Sequence, residues 1–174
     1  MADPTNPKMK DIINSKVKHR EYFRPFAPST SFDTATEYFD IDRALPYMIV
    51  NTHVKDPEKL PSITHYDGSA RVQTVTKEQH ERYYTLIKEV GKLTGADVVI
   101  NTSFNENESI VETPKNAINT FLRTGIDYLF VGDFFVEKKH KHLSRRESFQ
   151  LVQNEWSDIA ASTDVVQKAK EKVI

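Results

Sequence analysis

The sequence predicts an α/β or α+β domain followed by a polar, weakly helical tail, and two observations carry that prediction. Apolar runs of strand length alternate with helix-length amphipathic patterns, in the order strand, helix, strand, helix, strand. Prolines, glycines and the Asp67 and Gly68 pair punctuate the intervals. The domain is expected over residues 1–140, with its core between Val17 and Lys138 and the tail over 141–174.

Pro4, Asn6 and Pro7 signal a turn or helix start, and Met9, Ile12, Ile13 and Val17 follow at the spacing of a short helix. Pro25 and Pro28 forbid a helix interior, so Arg20 to Ser29 reads as extended strand and loop. Ser31 to Asp40 reads as a short helix or loop. Pro46 to Val54 (PYMIVNTHV) has the composition of a strand, and Ile63 to His65 and Arg71 to Thr76 read as short strands around the turn at Gly68. In the second of these, alternation sends Arg71 and Gln73 to one face and Val72 and Val75 toward the core. Lys77 to Leu93 is amphipathic, with Tyr83, Tyr84, Ile87, Val90 and Leu93 as core candidates and Gly95 near the C-cap. Val98 to Ile100 is a buried-type strand that runs into NTSFN (Asn101 to Asn105). Thr113 and Pro114 open a helix with Ala117, Ile118, Phe121 and Leu122 inward. Asp127 to Val131 reads as a buried strand that pairs with Phe134 to Glu137 across Gly132 and Asp133.

At 174 residues the chain suits one domain with a sizeable core, or one domain plus a tail. The net charge of −1 implies no bulk attraction to nucleic acid or membrane, so any anion site must be local. The absence of cysteine excludes disulfides, thiolate zinc sites and cysteine nucleophiles, and leans toward an intracellular, cytoplasmic protein. No apolar run approaches membrane-spanning length, and no signal-peptide pattern opens the chain.

Two segments carry candidate chemistry. VKHREYFRPFAPS (Val17 to Ser29) sets Lys18, Arg20 and Arg24 among aromatics and prolines, with Glu21 the acid nearby. At strand spacing the three cations share one face, where they repel one another unless an anion lies between them. The alternative is a solvated basic edge strand. NTSFN offers Asn101, Thr102, Ser103 and Asn105 at the C-terminal end of a strand, a frequent position for ligand contacts. The alternative there is local turn capping. Arg71 requires a partner if buried, either a ligand phosphate or Asp67. His53, His65 and Asp67 do not complete a metal set at convincing spacing. The run Lys138, Lys139, His140, Lys141 and His142, with Arg145 and Arg146, reads as a solvated tail rather than a nucleic-acid patch. The chain has no Gly-rich phosphate loop, nucleophile elbow or HExxH motif.

Taken together, ADPTNPKMKDIIN, VKHREYFRPFAPS, THYDGSARVQTV and NTSFNENESIVETPKNAINTFLRTGIDYLFVGDF resemble, in order, the C-terminal domain of O-carbamoyltransferases of the nodulation-factor and tobramycin type. The resemblance implies a YrdC-like fold, a twisted mixed sheet with helices packed on it and a positively charged concave face. It pairs Lys18 and Arg20 with a K-x-R motif, and Ser103 and Asn105 with an S-x-N motif. It further implies binding of carbamoyl phosphate and ATP, with a divalent cation such as Mg2+ held mostly by the nucleotide, and formation of carbamoyl-adenylate. Lys18, Arg20 and Arg71 would neutralise phosphates, while Ser103, Asn105 and Asn101 would orient the carbamoyl and phosphate oxygens. Arg24, Gln73 and Thr102 would contribute to substrate binding. Transfer to an acceptor hydroxyl would fall to an N-terminal domain absent from this chain, and an apolar surface left by its absence would favour self-association. Where the family tends to carry Gly or Asn and then Glu-Pro-Ile, this chain reads Asn107, Glu108, Ser109 and Ile110, so a looser loop is expected. Two other readings are a non-catalytic RNA- or protein-binding module of the same fold and an enzyme of threonylcarbamoyl-adenylate synthesis.

Overall fold

A strand of small polar residues, β1 (Ala27–Ser31), occupies the centre of a three-stranded sheet. It runs parallel to one neighbour (Gln73–Val75) and antiparallel to the other (Val98–Asn101), so the sheet is mixed and the protein is α+β. The structure is a computed structural model that describes residues 1–138. The expected tail helices and most of the basic run lie outside the described residues. Two units divide the chain, Met1–Ser103 and Phe104–Ile174.

The first unit opens with α1 (Met9–Lys16), whose apolar spacing directs Ile13 inward to 7% exposure. The core therefore begins before Val17, earlier than the sequence suggests, with Met9 and Ala2 packed against it. All five residues of β1 are buried. Its hydroxyls are compatible with burial because each is bonded: Thr30 Oγ1 donates to the Asp97 carbonyl at 2.8 Å, and Ser31 and Thr34 share a hydrogen bond at 2.6 Å. Pro28 precedes the start of pairing with Gln73–Val75 at Ser29, so its missing N–H interrupts no bond to that strand. A single helical turn, α2 (Ala35–Tyr38), then carries Ala35, Tyr38 and the following Phe39 into the core.

The predicted strand over Pro46 to Val54 shortens to β2 (Asn51–His53), because Met48 takes a left-handed φ of 53° that no strand accommodates. Ile63 to His65 is likewise a turn, with Ile63 N bonded to Leu60 O. β2 pairs antiparallel with β3 (Ser69–Arg71), and the chain continues through Val72 into β4 (Gln73–Val75). Ala70 and Val72 are fully buried, which turns Arg71 and Gln73 to the opposite side as the alternation predicted. Val75 lies two positions after Gln73 and is buried in a separate cluster with Ile87 and Val99, which corrects its assignment to the face of Val72.

The amphipathic helix α3 (Glu81–Thr94) starts later than Lys77, because Thr76 and Gln79 exchange hydrogen bonds in a turn and the His80 ring caps Tyr83 N at 3.2 Å. Gly95 ends it at φ 79° as a left-handed C-cap. Ile87, Val90, Gly91 and Thr94 define its inner face. Leu93 falls outside that face at 87% exposure, which corrects its assignment to the core. α3 covers Val75 and Val99, while Val98 and Ile100 of β5 (Val98–Asn101) enter the main cluster with Phe26, Phe39, Val54, Leu60, Ile63 and Val72.

Gly91 sits where a Cβ would meet Asp97 Oδ1 at 1.7 Å. Asp97 cannot retreat freely, since its other oxygen accepts from Lys88 Nζ and from Thr34 Oγ1 at 3.1 Å. Gly91→Ala is therefore expected to destabilise the protein by about 1–3 kcal/mol despite the higher helix propensity of alanine, read as a lowered midpoint in urea.

In the second unit, Thr113 caps α4 (Pro114–Arg123) by accepting from Asn116 N, with Pro114 in the first turn. Ala117, Thr120 and Phe121 face inward. β6 (Tyr128–Val131) and β7 (Phe134–Glu137) form an antiparallel hairpin across Gly132, at φ 60°, and Asp133. The buried-strand reading of Asp127 to Val131 is corrected: Leu129 is buried, but Tyr128 and Phe130 are 54% and 75% exposed. Their rings pack on Phe135 instead, at centroid separations of 5.4 and 4.8 Å.

Candidate functional site

The two polar segments meet within the first unit. Lys18, only 4% exposed, donates from Nζ to the Ser103 carbonyl at 2.6 Å and to its hydroxyl at 3.2 Å. A cation 85 positions away in sequence thus fastens the turn that follows β5. Residues 18–25 are not a strand, so the shared-face expectation for Lys18, Arg20 and Arg24 is corrected: Lys18 points in, Arg20 is half-buried and Arg24 is exposed. The divergence begins at His19, whose φ of 43° turns the backbone between the two cations.

Asn14 organises this segment and escaped the sequence reading. It is 1% exposed and lies in α1, where a polar side chain normally faces solvent. Its Nδ2 donates to the carbonyls of Tyr22 at 3.3 Å and Arg24 at 3.0 Å, and its Oδ1 accepts from Arg20 Nε at 2.8 Å. Arg20 also lies over the Phe26 ring, 4.5 Å from its centroid. Burial and the neighbouring Arg24 charge both push the Arg20 pKa down, and Glu21 opposes them. Arg24 itself pairs with Glu21 at 3.6 Å.

A second group lies on the sheet. Ser29 Oγ donates to Gln73 Oε1 at 2.6 Å, and Asn101 Nδ2 donates to both Ser29 Oγ and Gln73 Oε1 at 3.0 Å. Gln73 Nε2 in turn donates to the Pro46 carbonyl at 3.0 Å. The cross-strand register places Gln73 opposite Ser29 and makes this cluster possible. Nearby, burial raises the Tyr83 phenol, and the Ser29 hydroxyl opposes that shift without meeting hydrogen-bond geometry.

Arg71 is exposed opposite Asn51, and its guanidinium forms no ion pair among the described residues. Asp67 does not serve as its partner; it accepts from Ser69 N and Oγ. Burial lowers the His65 pKa, with Asp67 opposing and Arg71 assisting. Among the described residues no three His, Asp or Glu side chains gather to hold a metal ion, and no helix is long and apolar enough to cross a membrane. Thr102 is half-buried with no side-chain hydrogen bond among the described residues.

Asn105 belongs to the second unit, where its Nδ2 donates to the Glu108 carbonyl at 2.6 Å. Glu108 Oε1 accepts from Thr120 Oγ1 at 2.7 Å and from Arg123 Nη2 at 2.5 Å. The loop expected to loosen is therefore tied to α4. Burial would raise the Glu108 carboxyl, but the Thr120 hydroxyl, the Glu108 and Glu106 backbone and the Arg123 charge outweigh it and hold the pKa at about 2, below the ordinary 4.5. A depressed carboxylate stabilises above its unfolded value and loses that contribution as pH falls toward its folded value. Melting temperature is thus expected to drop between pH 4.5 and about 2 more steeply in the wild type than in Glu108→Gln.

The fold is an α+β domain in which the side chains of Lys18, Arg20, Gln73 and Asn101 are each held by hydrogen bonds. Residues 1–138 match the family described as carbamoyltransferase C-terminus. The chain is 40% identical over 168 residues to nodulation protein NolO of Bradyrhizobium diazoefficiens, covering 93% of this chain and 29% of that protein. It is 38% identical to the uncharacterized protein sll1178 of Synechocystis, covering 90% of this chain and 29% of the relative. With nodulation protein NolNO of Sinorhizobium fredii the identity is 39%, over 80% of this chain and 21% of the relative. The chain belongs to the carbamoyltransferase C-terminus family. It spans less than a third of the length of these curated relatives.

Proposed function

We propose that this chain is the carbamoyl phosphate- and ATP-binding part of an O-carbamoyltransferase and forms carbamoyl-adenylate. The observation that carries the reading is the setting of Arg20. It is clamped by Asn14 and Phe26, and burial and Arg24 disfavour its charge, with Glu21 opposing them in part. An anion between Arg20 and Arg24 relieves both penalties. In this reading Lys18 fixes the segment at Ser103 that follows β5, and Arg71 adds a further cation for the nucleotide phosphates.

Water hydrolyses carbamoyl phosphate, its oxygen replacing the broken acyl–phosphate bond, to give carbamate and inorganic phosphate. A carbamate oxygen attacks the α-phosphorus of ATP, the bond to the bridging oxygen breaks, and pyrophosphate leaves with its electron pair. Arg20 and Arg71 stabilise charge on the transferring groups, and Ser103 and Asn101 position the carbamoyl moiety. A divalent cation would ride on the nucleotide phosphates and neutralise part of their charge. An N-terminal domain outside this chain would deliver the carbamoyl group to an acceptor hydroxyl.

Calorimetric titration of the chain with carbamoyl phosphate and with ATP is the test. Saturable heat for both is expected. Folded protein that binds neither would overturn the proposal, as would salt-sensitive binding of RNA together with no response to carbamoyl phosphate.

A further inference from the structure

We propose that Asn101 selects the carbamoyl group over other acyl phosphates by accepting a hydrogen bond from its NH2 group through Oδ1. The inference rests on the reading that carbamoyl phosphate is the ligand, and it identifies the atom that recognises the acyl substituent.

The Pro46 carbonyl can only accept, so the end of Gln73 facing it at 3.0 Å must be its NH2. That fixes the other end of Gln73 as the carbonyl, Oε1. Oε1 accepts from Ser29 Oγ at 2.6 Å, which sets the Ser29 proton. Ser29 Oγ is then left as an acceptor, and both it and Gln73 Oε1 face Asn101 at 3.0 Å. Two acceptors demand two donors, so Asn101 must turn its NH2 toward them. Its own carbonyl, Oδ1, is left aimed away from the network and accepts no hydrogen bond among the described residues.

Ser29 is fully buried and paired in register with Gln73 across β1 and β4, so the chain of bonds is held by the sheet. Asn101 closes β5 and is half-buried, which keeps Oδ1 at the boundary between sheet and solvent. A half-buried amide oxygen without a donor is a poor match for an acetyl methyl or an ester oxygen. It matches an N–H group. Among acyl phosphates of this size, carbamoyl phosphate supplies two such donors and acetyl phosphate supplies none. A site that bonds a substrate N–H rejects the analogue lacking it, because that analogue displaces water from Oδ1 without replacing its hydrogen bond.

The experiment is calorimetric titration of the intact chain with carbamoyl phosphate and, separately, acetyl phosphate. Wild type is expected to bind carbamoyl phosphate at least about tenfold more tightly. Asn101→Ala is expected to bring the two affinities together by weakening carbamoyl phosphate and leaving acetyl phosphate nearly unchanged. Gln73→Leu, which keeps Asn101 but releases its amide to turn, is expected to give an intermediate ratio. Equal wild-type affinity for the two compounds overturns the inference while leaving the anion site standing. So does a preference retained in full by Asn101→Ala. If neither compound binds wild-type protein, both this inference and the carbamoyl phosphate reading fall.

Discussion

Arg20→Ala is expected to lower carbamoyl phosphate-dependent pyrophosphate formation by about a hundredfold or more, equivalent to ~3 kcal/mol of lost charge stabilisation. The protein should remain folded, because Arg20 is half-exposed and its loss forfeits one bond to Asn14 and a stack on Phe26 worth about 1 kcal/mol. Arg20→Lys is the informative companion. Lysine keeps the charge, but a single ammonium cannot match both the Nε bond to Asn14 and the planar face over Phe26. A loss of about tenfold is expected for it, with the greater part in ligand affinity. Activity unchanged in both variants would remove Arg20 from the site. Initial rates across ATP and carbamoyl phosphate concentrations are the measurement.

Asn14→Leu is expected to cost about 2–4 kcal/mol of stability and to abolish anion binding, although Asn14 touches no ligand in the proposed mechanism. Leucine keeps the branched outline of asparagine but offers no hydrogen bonds. Its substitution leaves the carbonyls of Tyr22 and Arg24 and the Nε of Arg20 without their partner. Asn14→Asp separates the two roles. It retains an acceptor for Arg20 but presents acceptors to two carbonyls, so the loop should detach while Arg20 stays paired. If residues 18–25 are held by Asn14, Asn14→Asp will lower affinity more than Arg20→Lys does. If Asn14 only fills space, Asn14→Leu will be nearly neutral in both denaturant midpoint and affinity.

Elements formed from a single local signal were legible in the sequence. Val98 to Ile100 is an apolar run, Thr113 and Pro114 mark a helix start, Gly95 marks a helix end, and Gly132 with Asp133 marks a hairpin; each stands where the signal predicts. The central strand was harder to recognise. β1 reads APSTS, and its burial depends on acceptors supplied by Gln73 and Asp97, far along the chain. Leu93 and the aromatic residues of β6 were misplaced for the converse reason: apolar character does not say which side of an element meets the core. Within the site, residue types were legible but directions were not. Lys18 and Arg20 stood out as cations, yet the turn at His19 and the buried amide of Asn14 decide where each points. An asparagine in an otherwise ordinary amphipathic helix offers no pattern to detect. Its spacing sets it four residues after Lys10 and three before Val17, so helical periodicity does not mark it as buried either.

Phosphorus NMR of the chain incubated with ATP, a divalent cation and carbamoyl phosphate tests the central claim most directly. The account predicts that phosphate and pyrophosphate appear together in equal amounts, with an adenylate resonance that requires carbamoyl phosphate and disappears in Arg20→Ala. Phosphate released with ADP, or no turnover by folded protein that binds both ligands, would contradict adenylate formation by this domain.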